Sequence, residues 1–151
     1  MTLLDLWRAV GLFSGLSDTQ LQRLIDISRE EIYHDGDVIV EQGTEGDKLY
    51  FIHEGQVEIR IRKSPSDPER SQVYLGRGQI FGEMALLDLG KRSATVRCSR
   101  NDTVLRAISG EDFTQLCNSD TAIGYIIMRN MAVDLSFKLR HRNLDLGAGS
   151  L

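Results

Sequence analysis

The chain has 151 residues, 41% hydrophobic and 26% charged, with a net charge of −4 and a pI near 5.4. That is enough chain for one domain with a real core, and the acidic balance argues against a general nucleic-acid binder, which shows a basic face. No apolar stretch approaches the roughly 20 residues of a membrane span, and the start, Met1-Thr-Leu-Leu-Asp-Leu-Trp-Arg8, lacks the parts of a signal peptide. The expected setting is therefore the cytoplasm, with Cys98 and Cys117 as reduced, buried thiols that fall in no metal-ligand spacing.

Residues 1–30 read as a helical lead-in. Leu3 to Val10 suits a short helix, and Gly11 and Gly15 break the path after it. Ser17 with Gln20 three residues on makes a capping box, and Leu21, Leu24, Ile25 and Ile27 then fall largely on one face.

From residue 31 to 108 the apolar period changes to two. Val38–Val40, Leu49–Ile52, Val57–Ile61, Val73–Leu75, Thr95–Cys98 and Val104–Ile108 read as short strands, punctuated by Gly36, Gly43, Gly46, Gly55, Gly76 and Gly78. Both prolines, Pro65 and Pro68, lie in the polar run Lys63–Ser71, a hairpin loop. About eight short strands at this spacing predict an antiparallel β-roll of jelly-roll type, giving an α+β fold with helices at each end.

Inside that region lies the most specific run of the chain, Phe81-Gly-Glu-Met-Ala-Leu-Leu-Asp-Leu-Gly-Lys-Arg-Ser-Ala-Thr-Val96. Glu83 follows a glycine at the start of a predicted turn, Glu83–Leu87, whose first backbone N–H groups lack intrahelical partners and form an anion site. Gly82 lets a phosphate approach closely. Arg92 supplies a permanent charge and a two-pronged donor. Glu83 is suited to accept hydrogen bonds from sugar hydroxyls, and Ser93, Ala94 and Thr95 are small enough to lie against a ligand. One arginine with backbone amides suits a monoanionic phosphodiester on a ribose; a triphosphate calls for a P-loop lysine, and no G-x-x-x-x-G-K-[ST] is present. The plainer reading of Glu83 and Arg92 is a structural ion pair at a loop base.

Residues 109–142 return to helix. Ser109 caps a short one through Phe113 and Leu116, and Asp120 opens a longer one with Ile123, Ile127, Met131, Leu135 and Leu139 at i, i+4 steps. That stripe is expected to pack on the roll, with a homodimer contact as the other option. Lys138, Arg140, His141 and Arg142 are read as compensation for the helix dipole. Residues 143–151 are expected to be a flexible tail. The whole is read as a single domain.

The run 81–96 resembles the phosphate-binding cassette of the cyclic nucleotide-binding domain family, which includes catabolite activator proteins, protein kinase A regulatory subunits and cyclic-nucleotide-gated channels. It matches F-G-E-x-A-L, a short variable turn, then R-[SAT]-A-[TS]-V without a gap. Glu45-Gly-Asp-Lys-Leu-Tyr-Phe-Ile-His-Glu-Gly-Gln-Val57 is similar to the family's G-D-x-x-Y-x-I-x-x-G-x-V signature, and Leu12-Phe-Ser-Gly-Leu-Ser-Asp-Thr-Gln-Leu21 to its helical lead-in. The resemblance implies Glu83 on the ribose 2′-hydroxyl and Arg92 on the cyclic phosphate. It further implies Gly82 and the amides near Met84 and Ala85 completing the cradle, and Ser93 beside phosphate or base. It also implies a lid over the base from the C-terminal helix, with Phe137, Lys138 and His141 as candidates.

The expected function is a sensor, not an enzyme, with cyclic AMP favoured over cyclic GMP as ligand, no cofactor and no metal. Occupancy is expected to move the C-terminal helix and so act on a protein partner or an attached effector, the chain being a stand-alone receptor or part of a longer protein. Two alternatives stand against it. A non-binding interaction module of the same fold has no need of Glu83 and Arg92. A cupin-like metal enzyme needs clustered histidines, whereas His34, His53 and His141 are scattered.

Overall fold

The computed structural model describes residues 1–87 and 90–145, with side chains to residue 142. Two short helices come first, α1 (Leu3–Arg8) and α2 (Asp18–Ile27), joined through a 3₁₀ turn at Gly11–Phe13. Both helices start on a complete capping box, Thr2 with Asp5 and Ser17 with Gln20, each pair satisfying two backbone donors. The eight strands are β1 (Arg29–Tyr33), β2 (Val38–Val40), β3 (Lys48–Glu54), β4 (Gln56–Ile61), β5 (Arg70–Gly76), β6 (Ile80–Phe81), β7 (Thr95–Cys98) and β8 (Thr103–Ser109). Helices α3 (Gly110–Ser119) and α4 (Thr121–Asp145) follow.

All pairings are antiparallel, in two four-stranded sheets ordered β1-β8-β3-β6 and β2-β7-β4-β5. The β3 sequence explains how one strand serves two apolar clusters, one on each face. Tyr50 and Ile52 point into the roll with Val57, Phe81, Val96 and Leu105, whereas Leu49 and Phe51 belong to the helical cluster of Trp7, Phe13, Leu24, Phe113, Ile123 and Ile127. A strand covered on both faces reads as a continuous apolar run, as Leu49–Ile52 does. Trp7 is fully buried, with its ring stacked on Phe13 at 5.2 Å and tilted against Phe51 at 5.1 Å.

The lead-in helix stops at Ile27, and Arg29–Tyr33, a polar segment, pairs with β8 as an edge strand. Strand β5 already begins at Arg70, inside the run read as loop. Cys98 is fully buried but Cys117 only half so; both are free, and burial raises the Cys117 thiol.

The stripe on α4 divides. Ile123, Ile127 and Met131 are buried in the helical cluster, not on the roll interior, while Leu135 and Leu139 are about half exposed. Each i+4 step advances about 400° around a helix, so the stripe drifts about 40° per step and leaves the core. Helix α4 also runs on to Asp145, which puts Lys138 well before its last turn; there it pairs with Asp134 at 2.9 Å instead of serving the dipole. The tail expectation overlaps this helix at 143–145, and residues 146–151 lie outside the described residues.

Candidate functional site

The cassette hangs on β6 at one end and β7 at the other. Phe81 is in register with Tyr50 of β3, and the rings stack at 4.9 Å, which anchors the first residue of the turn. Burial pushes the Tyr50 hydroxyl up to about 12, so it stays protonated inside the roll. Gly82 then takes φ +78, the left-handed region that favours glycine, and redirects the chain into a 3₁₀ turn at Glu83–Leu86. Leu86 is buried in the helical cluster, whereas Leu87 is about half exposed. The cassette is therefore tied to the helices by one leucine. Backbone contact adds to this tie: the Gly110 amide at the start of α3 donates to the Asp47 carbonyl at 2.8 Å, and a Cβ at Gly110 would lie 3.0 Å from the Ala85 carbonyl.

Arg92 is positioned by main chain on every side. Its amide donates to the Thr44 carbonyl at 2.7 Å, its carbonyl accepts from the Gly43 amide at 2.9 Å, and its Nη2 donates to the Lys48 carbonyl at 2.9 Å. The guanidinium passes between two glycines. A Cβ at Gly46 would stand 2.2 Å from Arg92 Nε, and one at Gly82 would stand 2.5 Å from Nη1. Gly46 was read from the sequence as a turn residue; its partnership with Arg92 is a finding of the structure. The signal for it was the Glu45-Gly-Asp triplet, which carries no chemistry by itself.

A pocket of about 510 Å³ opens at this point, within the range of about 300–1,000 Å³ of small-molecule sites. Gly46, Gly82, Glu83, Met84, Ala85, Arg92, Ser93 and Ala94 all line it, so the structure brings the predicted cassette residues together. Lys91 joins them at the rim. Val40, Ile59, Ile80 and Val96 form apolar walls that the sequence reading did not assign to a site. No ion pair joins Glu83 to Arg92 among the described residues, against the plainer structural reading. The Ala85 amide already donates to the Gly82 carbonyl at 3.1 Å. Of the expected anion-binding amides, this one is engaged.

The lid candidates stand elsewhere. Phe137 and Lys138 line a second groove of about 850 Å³ between the cassette and α4, and the His141 ring lies tilted against Phe137 with ring centroids 3.8 Å apart. None of the three lines the cassette pocket. Among the described residues no group of histidine, cysteine or carboxylate side chains could hold a metal ion, and no helix is long and apolar enough to cross a membrane.

An antiparallel roll carrying a glycine-flanked arginine and a carboxylate in one pocket is the architecture of a small-molecule-binding domain. Residues 30–120 match the model of the cyclic nucleotide-binding domain, and the chain belongs to that family. It is 33% identical over 135 residues to the cyclic AMP receptor protein of Thermus thermophilus, covering 89% of this chain and 60% of that protein. It is 34% identical over 116 residues to a cGMP-dependent protein kinase of Drosophila melanogaster, covering 76% of this chain and 12% of the kinase. The crystal structure of the N-terminal domain of a transcriptional regulator from Streptomyces coelicolor A3(2) superposes with a TM-score of 0.81 at 29% identity, covering 97% of this chain and 98% of that one. The chain thus spans 60% of the Thermus protein, a little under two thirds, and a small part of the kinase.

Proposed function

We propose that this domain senses a cyclic nucleotide, cyclic AMP in preference to cyclic GMP, and acts by regulation instead of catalysis. The observation that carries the reading is the pocket that unites Gly82, Glu83 and Arg92. Arg92 takes the cyclic phosphate and Glu83 the ribose 2′-hydroxyl. The amides of Met84 and Ala85 complete the cradle, the Ala85 amide exchanging its Gly82 partner for a phosphate oxygen. Ser93 sits beside the phosphate or base. The apolar walls at Val40, Ile59 and Val96 receive the purine by contact.

Occupancy reaches α4 through the cassette turn, because Leu86 is embedded in the helical cluster and Gly110 rests against Ala85. The shift is limited by the difference in ligand affinity between the two positions of α4. Phe137, Lys138 and His141 are the candidates that reach toward the base when α4 closes. The half-exposed Leu135 and Leu139, one turn apart on the same side of the helix, suit a homodimer contact along α4. A protein partner or an attached effector in the cytoplasm would read the change. The relatives named for cyclic AMP reception and for a cGMP-dependent kinase support both the ligand class and the regulatory role.

The test is calorimetric titration of cyclic AMP and cyclic GMP into the wild type and Arg92→Ala. The wild type is expected to bind, with cyclic AMP tighter, and Arg92→Ala to lose at least about tenfold in affinity, since a hydrogen bond to a charged group contributes about 1.5–3 kcal/mol. Glu83→Ala is expected to lose less than Arg92→Ala, and 2′-deoxy cyclic AMP to bind more weakly than cyclic AMP. No heat with either nucleotide from folded protein would remove the reading; equal affinity for the ribose and deoxyribose ligands would remove the role of Glu83.

A further inference from the structure

The cassette pocket opens where two strands part. Strands β4 and β7 run in register as far as Arg60 opposite Thr95, and the chain before Thr95 turns away to carry Ala94, Ser93 and Arg92 to the pocket. The backbone N–H and C=O of Arg62, just past the end of β4, are thereby left without a β7 partner, and unpaired backbone groups are costly wherever water is excluded. Gln42 fills the gap. Its Oε1 accepts from the Arg62 N–H and its Nε2 donates to the Arg62 carbonyl, both at 2.8 Å, which is the exchange of two bonds that a residue of a neighbouring strand makes. The pairing also fixes which end of the amide is which, because the oxygen can only accept and the nitrogen only donate.

The same residue reaches the opposite bank through its backbone. The Gln42 N–H donates to Thr95 Oγ1 at 2.9 Å, and Thr95 is buried. Gly43 and Thr44, next in the chain, make the main-chain bonds that hold Arg92. The strip that seats the arginine is thus tied by the Gln42 amide to the end of β4, whose Ile59 forms an apolar wall of the pocket. We infer that Gln42, which does not itself line the pocket, is a positioning residue for the bound nucleotide. It fixes the gap between the Arg92 strip and the β4 wall, so that phosphate and purine are held at the same time. The inference rests on the nucleotide reading of this pocket.

Cyclic AMP is titrated into the wild type, Gln42→Met and Gln42→Glu, with a melting curve for each. Methionine keeps the length and volume of the side chain and loses both bonds, and it is expected to bind about three- to tenfold more weakly, on the scale of one neutral hydrogen bond. Glutamate separates positioning from filling. Ionised, it accepts from the Arg62 N–H and has nothing to donate to the carbonyl; protonated, it regains a donor. Gln42→Glu is therefore expected to bind several-fold more weakly than the wild type at pH 8 and to approach it at pH 4.5, near the ordinary glutamate pKa of about 4.3. The ratio to the wild type at each pH cancels the groups that both proteins share, Glu83 included. No loss in either variant, or a Gln42→Glu ratio that does not move with pH, overturns the role of Gln42 while leaving nucleotide binding intact. Should Gln42→Met fail to fold, Gln42→Glu at the two pH values carries the test alone. If the wild type does not bind cyclic AMP or cyclic GMP, the nucleotide reading fails, and amide exchange in the ligand-free protein decides the tie. Gln42→Glu at pH 8 is then expected to speed exchange at the amides of Arg62 and Arg92; unchanged exchange overturns it.

Discussion

Two glycines decide what Arg92 can do. Its guanidinium lies where a side chain at Gly46 or Gly82 would have to be, and its Nη2 is held by a backbone carbonyl 44 residues away in sequence. Gly82 also has φ +78, so a substitution there combines strain with a clash; Gly46 has no such backbone demand and isolates the clash. Gly46→Ala is therefore expected to fold and to displace Arg92, lowering nucleotide affinity about tenfold or more while leaving the thermal midpoint within a few degrees. Titration alongside a melting curve checks this, and an unchanged affinity would show that Arg92 is not held by this gap. The types of residue in the cassette were legible in the sequence because phosphate and sugar chemistry need them. The Gly46–Arg92 contact was not, since it joins distant segments and its carbonyl partner at Lys48 is backbone, which no side-chain pattern reveals.

At the level of elements, the sequence was informative where side chains alternate or cap. Strand β2 begins and ends on its branched residues, β7 has the bounds that its alternation predicts, and Ser17 with Gln20 marks the start of α2. Strand β1 was missed because Arg29-Glu-Glu-Ile-Tyr33 is mostly polar, and an edge strand with exposed residues has no strong apolar signal. Strand β6 has two residues, too few to show a period. The capping box of α1, Thr2 with Asp5, carries a pH dependence. The Asp5 carboxyl accepts from the Thr2 amide first and from Arg8 second, and these bonds hold its pKa near about 2 against an ordinary 3.8. A carboxyl depressed in the folded state stabilises the fold above its unfolded pKa and loses that contribution as the pH falls through the folded one. The α1 cap is thus expected to be complete above about pH 4 and to fail toward pH 2. A side-chain NMR titration of Asp5 should show a midpoint near 2; a midpoint near 4 would mean that the box does not form in solution.

On the scale of the whole molecule, α4 is two different helices in one. Its first half is a core element: Ile123 and Ile127 are fully buried, and the Asn130 side chain donates to the carbonyls of Leu12 and Ser14 at 2.9 and 2.8 Å, pinning the helix to the N-terminal turn. Arg23 on α2 pairs with Asp120 at the entry to α4, which fixes that end as well. Beyond Met131 the helix presents Val133, Leu135, Phe137 and Leu139, each about half exposed. Val133 and Phe137 lie on one side of the helix and Leu135 and Leu139 about 200° round from them, so a second copy of the same helix is expected to cover the Leu135–Leu139 side, by an interface that is the same on both partners. Leu135→Arg with Leu139→Arg is expected to turn a dimer into a monomer in sedimentation velocity without lowering the thermal midpoint of the domain by more than a few degrees, because neither residue contributes to the core. A wild type that sediments as a monomer at all accessible concentrations would end the dimer reading and leave this face to another protein. Because the first half of α4 is pinned and the second is not, any ligand-driven motion is expected to pivot after Asn130. Asn130→Ala, which removes both bonds to the N-terminal turn, should therefore speed amide exchange in the first half of α4 whether or not nucleotide is bound. Exchange confined to residues beyond Asn130 in that variant would show that the hydrophobic cluster alone sets the pivot.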